Sequence, residues 1–417
     1  MRSMSALQLD PNPAQARAGW PPVVVGSAFQ TGVLLARNLE RRGVRVYLVD
    51  SDPSMHGFRS IYGTTLRCPN PDSEPAAWLK FMLELGDRVG GRPVLIAASD
   101  QFVSAFGAHE QELAGKFRLA ASASMQAALA LKEGQVRLAL QHGLPIPRTR
   151  YANSEADVDQ FAAEAQFPCL LKPQQQRFWS NAPAGHPLSI AKVLTAGTAG
   201  ELMSQYRLAA ELSPEVVLQE IIEGPDQNKR VHVAVYRADG ERVGCCTTKE
   251  FRSFPKLFGV PSVVEPIQDP EVDSVCDRFF RSAGYRGICE IELKWDDRDG
   301  QVRMMDINPR YTGAGDAVPY AGLDHGWLHY LDLIGERVEP VQLNGRDFRH
   351  IMLGNDVVAI RDYWRMGMIT WDEIRRTYRR PVYFYDLDWR DWRLAAGTVK
   401  RVVSVLGGWV LRGLGLR

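Results

Sequence analysis

The chain has few cysteines, almost no net charge and no long apolar run. Its 417 residues include six cysteines without a C-x-x-C pair, which favours buried, reduced thiols of a cytoplasmic protein over disulfides or zinc ligands. The net charge of +1 gives no reason to expect nucleic acid as a partner. No apolar segment is long enough to span a membrane. Residues 1–20 lack the apolar core of a signal peptide, so we expect a disordered lead-in there.

The first strand–helix turn lacks the G-x-G-x-x-G pattern of dinucleotide-binding proteins. A buried strand is predicted over Val23 to Gly26, a helix over Thr31 to Arg42 and a second strand over Val44 to Asp50. The run from Val94 to Asp100 repeats the pattern, which predicts a parallel α/β domain. The turn from Gly26 to Gly32 could receive an anion at the helix N-terminus, be purely structural or face an acidic substrate. Its glycine spacing argues against NAD.

Further along, helices alternate with short strands in a different pattern. The periodicity predicts two helices, Lys132 to His142 and Pro270 to Ala283, and strands over residues 167–172, 216–222, 232–236 and 243–248. Residues 174–187 show no periodicity, which predicts a loop. We therefore expect a lead-in (1–20), an α/β domain (21–125), two further lobes (126–215 and 216–340) and an extension rich in Trp and Arg (341–417).

The strongest signal lies near residue 300, where two strand-like runs flank an Asp-Asp-Arg-Asp-Gly turn. In the second run, Asp306, Asn308 and Arg310 occupy alternate positions and therefore point to one face. If the runs pair, Glu292 joins them. Oxygen ligands beside a guanidinium are typical of a hard cation that holds phosphate. The alternative is an ordinary acidic hairpin, but a run this polar needs partners if it is buried.

Charged residues at the ends of other elements are weaker candidates, and each has a plain alternative. The plain interpretation of Lys132, on a helix, and of Lys172, at a strand end, is a lysine that is exposed to solvent. The run from Gln219 to Asp226 is either a charged hairpin end or an edge that meets a nucleotide. Lys249 and Arg252 follow another strand and are either solvated charges or cations of a functional site.

Five segments in this order resemble the ATP-grasp superfamily over about residues 22–340. The chain looks most like the bacterial predicted ATP-dependent carboligases, or carboxylate–amine ligases, which are related to biotin carboxylase and to the large subunit of carbamoyl-phosphate synthetase. The resemblance implies an α/β protein with a Rossmann-like pre-ATP-grasp domain, a two-lobed α+β ATP-grasp fold and a C-terminal extension. The segments that carry it are residues 167–173, 219–224, 248–259, 285–294 and 306–310.

The resemblance also implies two cofactors, ATP and magnesium, and a set of residues that bind them. Two Mg²⁺ ions are expected, with Mn²⁺ as an alternative, and their ligands would be Glu292, Asp306 and Asn308. The phosphates, adenine and ribose of ATP would be bound by Lys132, Lys172, the backbone of Glu220, Ile221 and Ile222, and Asp226. The catalytic residues would be Lys249, Arg252 and Arg310, and the substrate contacts Asp100, Gly313, Gly315 and Asp316.

The implied reaction is ADP-forming: a small-molecule carboxylate becomes an acyl-phosphate, which an amine opens to an amide. Two departures from the family pattern stand out. Asp306 occupies the position of the usual Glu, and the loop 174–191 is rich in Gln and Pro where many relatives have a glycine-rich flap. A carboxylating or carbamoyl-type enzyme remains an alternative, as does a catalytically silent nucleotide-binding scaffold.

The C-terminal segment after Asp391 contains no acidic residue. Arg401 and Arg412 lie opposite an apolar helical face made of Val399, Val402, Val403, Leu406, Trp409 and Val410. The pattern predicts either a peripheral membrane helix within residues 392–417, at the inner face of the membrane, or a helix packed on the protein's own body. A homodimer is a further expectation.

Overall fold

A computed structural model describes residues 19–174, 177–180, 182–183, 185–255 and 259–413. Within these residues the strands form three sheets, of four, seven and four strands. The predicted α/β class is confirmed, and the predicted domain bounds stay predictions.

The first sheet is parallel and carries helices between its strands, as the opening of the sequence predicts. Its strands, in the spatial order β3-β2-β1-β4, are β1 (Val23–Gly26), β2 (Val46–Asp50), β3 (Thr64–Arg67) and β4 (Val94–Ala97). The helices are α1 (Gln30–Glu40), α2 (Pro75–Val89), α3 (Asp100–Ala108), α4 (Glu110–Ala114) and α5 (Ala123–Leu129). β1 and β2 are buried along their whole length, because helices cover parallel sheets on both faces.

The second sheet is antiparallel and has the order β5-β8-β6-β7. It consists of β5 (Thr149–Ala152), β6 (Cys169–Pro173), β7 (Leu194–Ala196) and β8 (Val216–Glu220). The helices of this region are α6 (Lys132–Gln141), α7 (Glu155–Glu164), α8 (Arg177–Ser180) and α9 (Ala199–Ala210). The loop predicted over 174–187 is wrong where α8 forms, because Trp179 is only 1% exposed and anchors that turn in the core.

The third sheet has seven strands and holds the hairpin that dominates the sequence analysis. The first five, in the order β13-β12-β9-β10-β11, are β9 (Lys229–Tyr236), β10 (Arg242–Phe254), β11 (Val260–Ile267), β12 (Gly287–Trp295) and β13 (Val302–Asn308). Helix α10 (Pro270–Ser282) buries an apolar stripe against one face of these strands, and α11 (His325–Ile334) follows the hairpin. The predicted hairpin is confirmed, although β13 ends at Asn308 and not at Arg310.

The C-terminal extension completes the third sheet. Short strands β14 (Arg349–Ile351) and β15 (Val382–Phe384) add to the edge at β11. Three helices surround them: α12 (Leu353–Arg365), α13 (Trp371–Tyr378) and α14 (Trp392–Gly413). None of the helices in the described ranges combines the length and apolarity needed to cross a membrane.

A buried ion pair fastens this extension to the sheet. The Arg252 guanidinium on β10 donates to both carboxylate oxygens of Asp356 on α12, at 2.8 and 2.9 Å, and to the Thr377 hydroxyl at 3.0 Å. The Arg252 and Asp356 side chains are 4% and 0% exposed. Because a carboxylate buried this deeply needs its cation, the pair fixes the position of α12 on β10.

We expect Arg252→Ala to lower the free energy of unfolding by about 3–5 kcal/mol, because it leaves the Asp356 charge buried without a cation. Urea denaturation followed by tryptophan fluorescence measures the change. Arg207→Ala is the matched control, since Arg207 pairs with Glu155 at the surface and should cost less than about 1 kcal/mol. Equal losses in the two variants would contradict the role of the buried pair.

Candidate functional site

The site is centred on two carboxylates that face each other across the β12–β13 hairpin. Glu292 is the register partner of Asp306, and Glu290 is the register partner of Asn308. Directly paired residues of adjacent strands share a face, so all four side chains point to the same side of the sheet. The structure thus brings together the three predicted metal ligands.

Two lysines from other elements enter the same space. Lys132, the first residue of α6, forms an ion pair with Asp306. Lys172, near the end of β6, donates from Nζ to Gln219 Oε1 at 3.1 Å, and its charge acts on Asp306 and Glu292. The carboxylates and lysines therefore come from a hairpin, a helix and a separate sheet, so the site exists only when these parts are packed together.

The electrostatics of the cluster follow from burial and from the balance of its charges. Burial and the neighbouring Asp306 raise the pKa of Glu292. Burial alone would also raise the pKa of Asp306, but Lys132 and Lys172 outweigh burial and lower it. Burial and the nearby Lys132 lower the pKa of Lys172 to about 8. Additional positive charge between the two carboxylates would stabilise their ionised forms.

Arg310 connects this cluster to the first domain. Its guanidinium donates to both oxygens of Asp100, at 2.6 and 3.2 Å, and to Asn308 Oδ1 at 3.0 Å. Asp100 is the first residue of α3, and its side chain is about half exposed. The predicted neighbours Asn308, Arg310 and Asp100 are therefore in direct contact, although Arg310 lies beyond the end of the strand.

Two buried residues that support the site were missed by the sequence reasoning. Glu290 accepts from Asn308 Nδ2 at 3.1 Å and from the Thr312 hydroxyl, and burial beside Glu292 raises its pKa to about 7. Gln135 on α6 donates to the backbone oxygen of Ile307 at 2.7 Å and so holds α6 against β13. Glu290 could have been found from its spacing, because it lies two residues before Glu292 on the same strand face.

The predicted nucleotide edge follows β8 directly. The backbone amides of Glu220 and Ile221 donate to the carbonyls of Arg148 and Pro168, just before β5 and β6, at 3.0 and 3.1 Å. The carbonyl of Ile222 accepts from the Lys294 ammonium at 2.8 Å. Asp226 is 6% exposed, and its carboxylate contacts Lys229, Ser253 and Tyr363. The adenine and ribose contacts of these residues stay predictions.

Lys249 lies away from the two facing carboxylates. It pairs with Arg230 of β9, which pairs in turn with Leu293 of β12. Leu293 is fully buried beneath α10, so this row of side chains faces α10. Because strand side chains alternate, Lys249 lies on the face opposite Glu292, and its ammonium sits over the Phe251 ring. The catalytic role predicted for Lys249 stays a prediction, and the geometry places its side chain away from Glu292.

Lys229 is the cation that β9 and β10 place on the same face as Glu292. Its Nζ lies 2.9 Å from Asp226 Oδ1 and 3.4 Å from Glu250 Oε1. Burial raises the pKa of Glu250 to about 7, against the opposing effect of Lys229. The period of two along β9 could have identified Lys229, because it precedes Val231 and Val233 on the site face.

Two other predicted site residues, Arg252 and Asp316, form ion pairs with buried side chains elsewhere in the structure. Arg252 is paired with the buried Asp356, and its predicted catalytic role stays a prediction. Asp316 is 4% exposed and accepts from Arg37 of α1 at 3.1 and 2.9 Å, and its predicted substrate contact likewise stays a prediction. Gly313 faces the Thr31 methyl group, and Gly315 follows in a short 3-10 helix; their substrate contacts stay predictions.

The residues of the site suit magnesium and a polyphosphate. Two facing carboxylates and an amide oxygen are hard oxygen donors of the kind that Mg²⁺ prefers, and few enough to leave positions for phosphate oxygens. Lys132 and Lys172 add positive charge for the same anion. The Asn308 oxygen now accepts from Arg310, so a cation bound there would compete with that hydrogen bond.

No protein-family model matches the chain. The D-aspartate ligase of Enterococcus faecium is 24% identical over 267 residues, which cover 61% of this chain and 63% of that protein. The D-alanine–D-alanine ligase of Acidovorax ebreus is 23% identical over 181 residues, which cover 41% of this chain and 51% of that protein. The chain therefore spans less than two thirds of the length of these curated relatives.

Solved structures resemble most of the chain. The ADP complex of N5-carboxyaminoimidazole synthetase from Staphylococcus aureus matches with a TM-score of 0.65 at 13% identity, covering 85% of this chain and 87% of that one. At this identity the match shows the fold alone. The chain is therefore similar to ATP-grasp enzymes, in sequence over part of its length and in fold over most of it.

Proposed function

We propose that the protein is an ADP-forming ligase that joins a carboxylate to an amine. The observation that carries the proposal is the facing pair Glu292 and Asp306, held between Lys132 and Lys172. ATP and Mg²⁺ are the expected cofactors. When bound, Mg²⁺ neutralises phosphate charge and fixes the nucleotide for transfer.

The residues of the site would have separate roles in phosphoryl transfer. Glu292, Asp306 and Asn308 would hold the metal, and Lys132 and Lys172 would bind the phosphates. Phosphoryl transfer depends mainly on position and charge, so such a cluster supplies much of what the first step needs. Arg310 lies beside Asn308 and can stabilise the negative charge that develops when the carboxylate is activated.

The choice of a carboxylate and an amine rests on Arg310, Asp100 and the relatives. Arg310 and the half-exposed Asp100 pair with each other, and a substrate acid and an ammonium group would take the place of these partners. The two sequence relatives are named as ligases of D-aspartate and of D-alanine, which carry both groups. We therefore propose amino acids or amino-bearing metabolites as substrates.

A carboxylating enzyme is the second candidate, because the matched Staphylococcus aureus structure is a carboxyaminoimidazole synthetase. The two candidates differ in the acid that is activated. Bicarbonate would stimulate ADP release by a carboxylating enzyme, whereas an organic acid together with an amine would stimulate release by the proposed ligase. ADP release measured across acids and amines separates them.

We expect Asp306→Asn and Glu292→Gln each to lower Mg²⁺-dependent ADP release by at least about 100-fold, since each removes a charged metal ligand. A coupled assay for ADP measures turnover at saturating Mg²⁺. Asp299→Asn is the control, because Asp299 lies in the turn of the same hairpin and pairs with Arg303 at the surface. Full turnover by both site variants would overturn the assignment of the metal ligands.

We expect the affinity for MgATP to fall as pH rises through about 8. The pKa of Lys172 is lowered to about 8 by burial and Lys132, so its ammonium is charged below this pH and loses its proton above it. Equilibrium binding of a fluorescent ATP analogue between about pH 7 and pH 9 measures the effect. Lys172→Arg keeps its charge over this range. If the affinity of Lys172→Arg for the analogue still falls over this pH range, another group is responsible for the change.

We also propose that the C-terminal helix α14 lies on an anionic membrane surface. Ala395 packs inward at 1% exposure, whereas Val399, Val403 and Leu406 are 40%, 63% and 48% exposed. These three residues recur at helical spacing, so they form an apolar stripe that the protein body does not cover. Trp392 extends the stripe, and no acidic residue follows Asp391.

A homodimer also remains a proposal, which light scattering tests.

We expect Val403→Glu to reduce sedimentation of the full-length protein with vesicles that contain anionic lipid, because it places a charge within the apolar stripe. Ser404→Glu adds the same charge one residue away, on the polar side of the helix, and should retain more binding. Vesicles of zwitterionic lipid alone test the contribution of the basic residues. Equal sedimentation of both variants and the parent protein would exclude membrane contact through this stripe.

A further inference from the structure

A second group of ligand-type side chains lies on the other face of the third sheet. His232 on β9, Cys245 on β10 and Asp273 in the first turn of α10 bring one donor atom each to within 4.8 Å of one another. The register pairs His232 with Thr247, and Cys245 lies two residues before Thr247, so all three strand residues face α10. Glu292 and Asp306 lie on the opposite face, so this group is separate from the proposed ATP site.

Asp273 is the centre of the group. Its Oδ1 lies 3.1 Å from His232 Nδ1 and accepts from the Thr247 hydroxyl at 2.7 Å. The Cys245 Sγ atom lies within 4.8 Å of the donor atoms of His232 and Asp273. Side chains from two strands therefore surround a carboxylate that α10 supplies.

The distances are close to those of a tetrahedral metal shell. Zinc–nitrogen and zinc–oxygen bonds of about 2.0–2.2 Å imply a separation of about 3.3 Å between two such ligands. The 3.1 Å between His232 Nδ1 and Asp273 Oδ1 is close to this value. Cys245 Sγ lies within 4.8 Å, so it would move inward by at most about 1.3 Å to reach the edge of about 3.5 Å that a thiolate requires.

The ligand atoms determine which metals this group of side chains could bind. A thiolate, an imidazole and a carboxylate suit zinc and related transition metals, whereas magnesium prefers oxygen ligands alone. Thiolate and carboxylate together balance the charge of a divalent ion. His232 is fully buried, but the Asp273 side chain is 35% exposed, so water can reach the fourth position.

We propose that His232, Cys245 and Asp273 bind one zinc ion, with water as the fourth ligand and Thr247 as a hydrogen-bond partner of Asp273. The ion would tie α10 to β9 and β10 behind the ATP site. On binding, the Cys245 thiol gives up its proton to solvent, and the His232 proton resides on Nε2 so that Nδ1 can coordinate. This site does not depend on the proposed ligase activity, because it lies on the other face of the sheet.

Titration of the untagged, full-length protein with Co²⁺ and Zn²⁺, after treatment with a chelator, tests the proposal. We expect one equivalent of Co²⁺ to give the near-ultraviolet charge-transfer absorption of a cobalt–thiolate bond. Zn²⁺ should remove this absorption, and excess Mg²⁺ should not. Competition with a chromophoric chelator then gives the zinc affinity. A spectrum without the charge-transfer absorption would overturn the proposal.

Each substitution of a proposed zinc ligand is compared with a control substitution nearby. The comparison distinguishes loss of a zinc ligand from an effect on folding. Cys245→Ala should abolish the charge-transfer absorption and weaken zinc binding by more than the 10- to 100-fold typical of losing an outer-shell partner. Cys246→Ala is the matched control, because Cys246 points to the other face and packs among Val231 and Val233. Asp273→Asn should likewise weaken zinc binding, whereas Asp277→Asn, one turn further along α10, should not. Unchanged zinc affinity in Cys245→Ala would show adventitious binding elsewhere and overturn the site.

Discussion

The site depends on one electrostatic constraint: Glu292 and Asp306 face each other across a hairpin and are partly withdrawn from water. Two like charges so placed repel each other, and burial raises the pKa of Glu292 further. The fold offsets this cost with Lys132 from α6 and Lys172 from β6. Because these cations come from separate parts of the chain, the packing of the lobes and the charge balance of the site depend on each other.

The same constraint explains the supporting residues. Gln135 holds α6 against β13 and thereby keeps Lys132 beside Asp306. Glu290 binds the nitrogen of the Asn308 amide, which directs the amide oxygen toward Arg310 and the site. Arg310 then connects the hairpin to Asp100 at the start of α3. A continuous set of polar contacts therefore extends from the hairpin into the first domain.

Sequence reasoning predicted what alternation and helical spacing determine. The β12–β13 hairpin, the parallel first sheet and the common face of Asp306 and Asn308 all follow from local pattern. Lys249 could not be assigned in this way, because its face depends on the register of β10 against β9 and β12. The ion-pair partners of Arg252 and Asp316 could not be predicted for a related reason. Their partners, Asp356 and Arg37, are 104 and 279 residues away along the chain, and local pattern does not reveal them.

The extension after residue 340 shows how the parts of this chain are combined. Arg252 and Asp356 fix α12 on β10, and Tyr363 of α12 contacts Asp226 beside the predicted nucleotide edge. Helix α14 packs on α12 and leaves its apolar stripe exposed. The proposed membrane surface and the proposed ATP site are therefore joined through one helix that has buried polar contacts to the sheet.

The central claim is that a carboxylate is activated by phosphoryl transfer. The most direct measurement uses amino acids with a heavy oxygen isotope in the carboxylate, incubated with the full-length protein, MgATP and candidate amines. We predict that the phosphate released with ADP carries one labelled oxygen from the acid, because an acyl-phosphate passes that oxygen to phosphate when the amine displaces it. Phosphate whose new oxygen comes only from water would contradict this account.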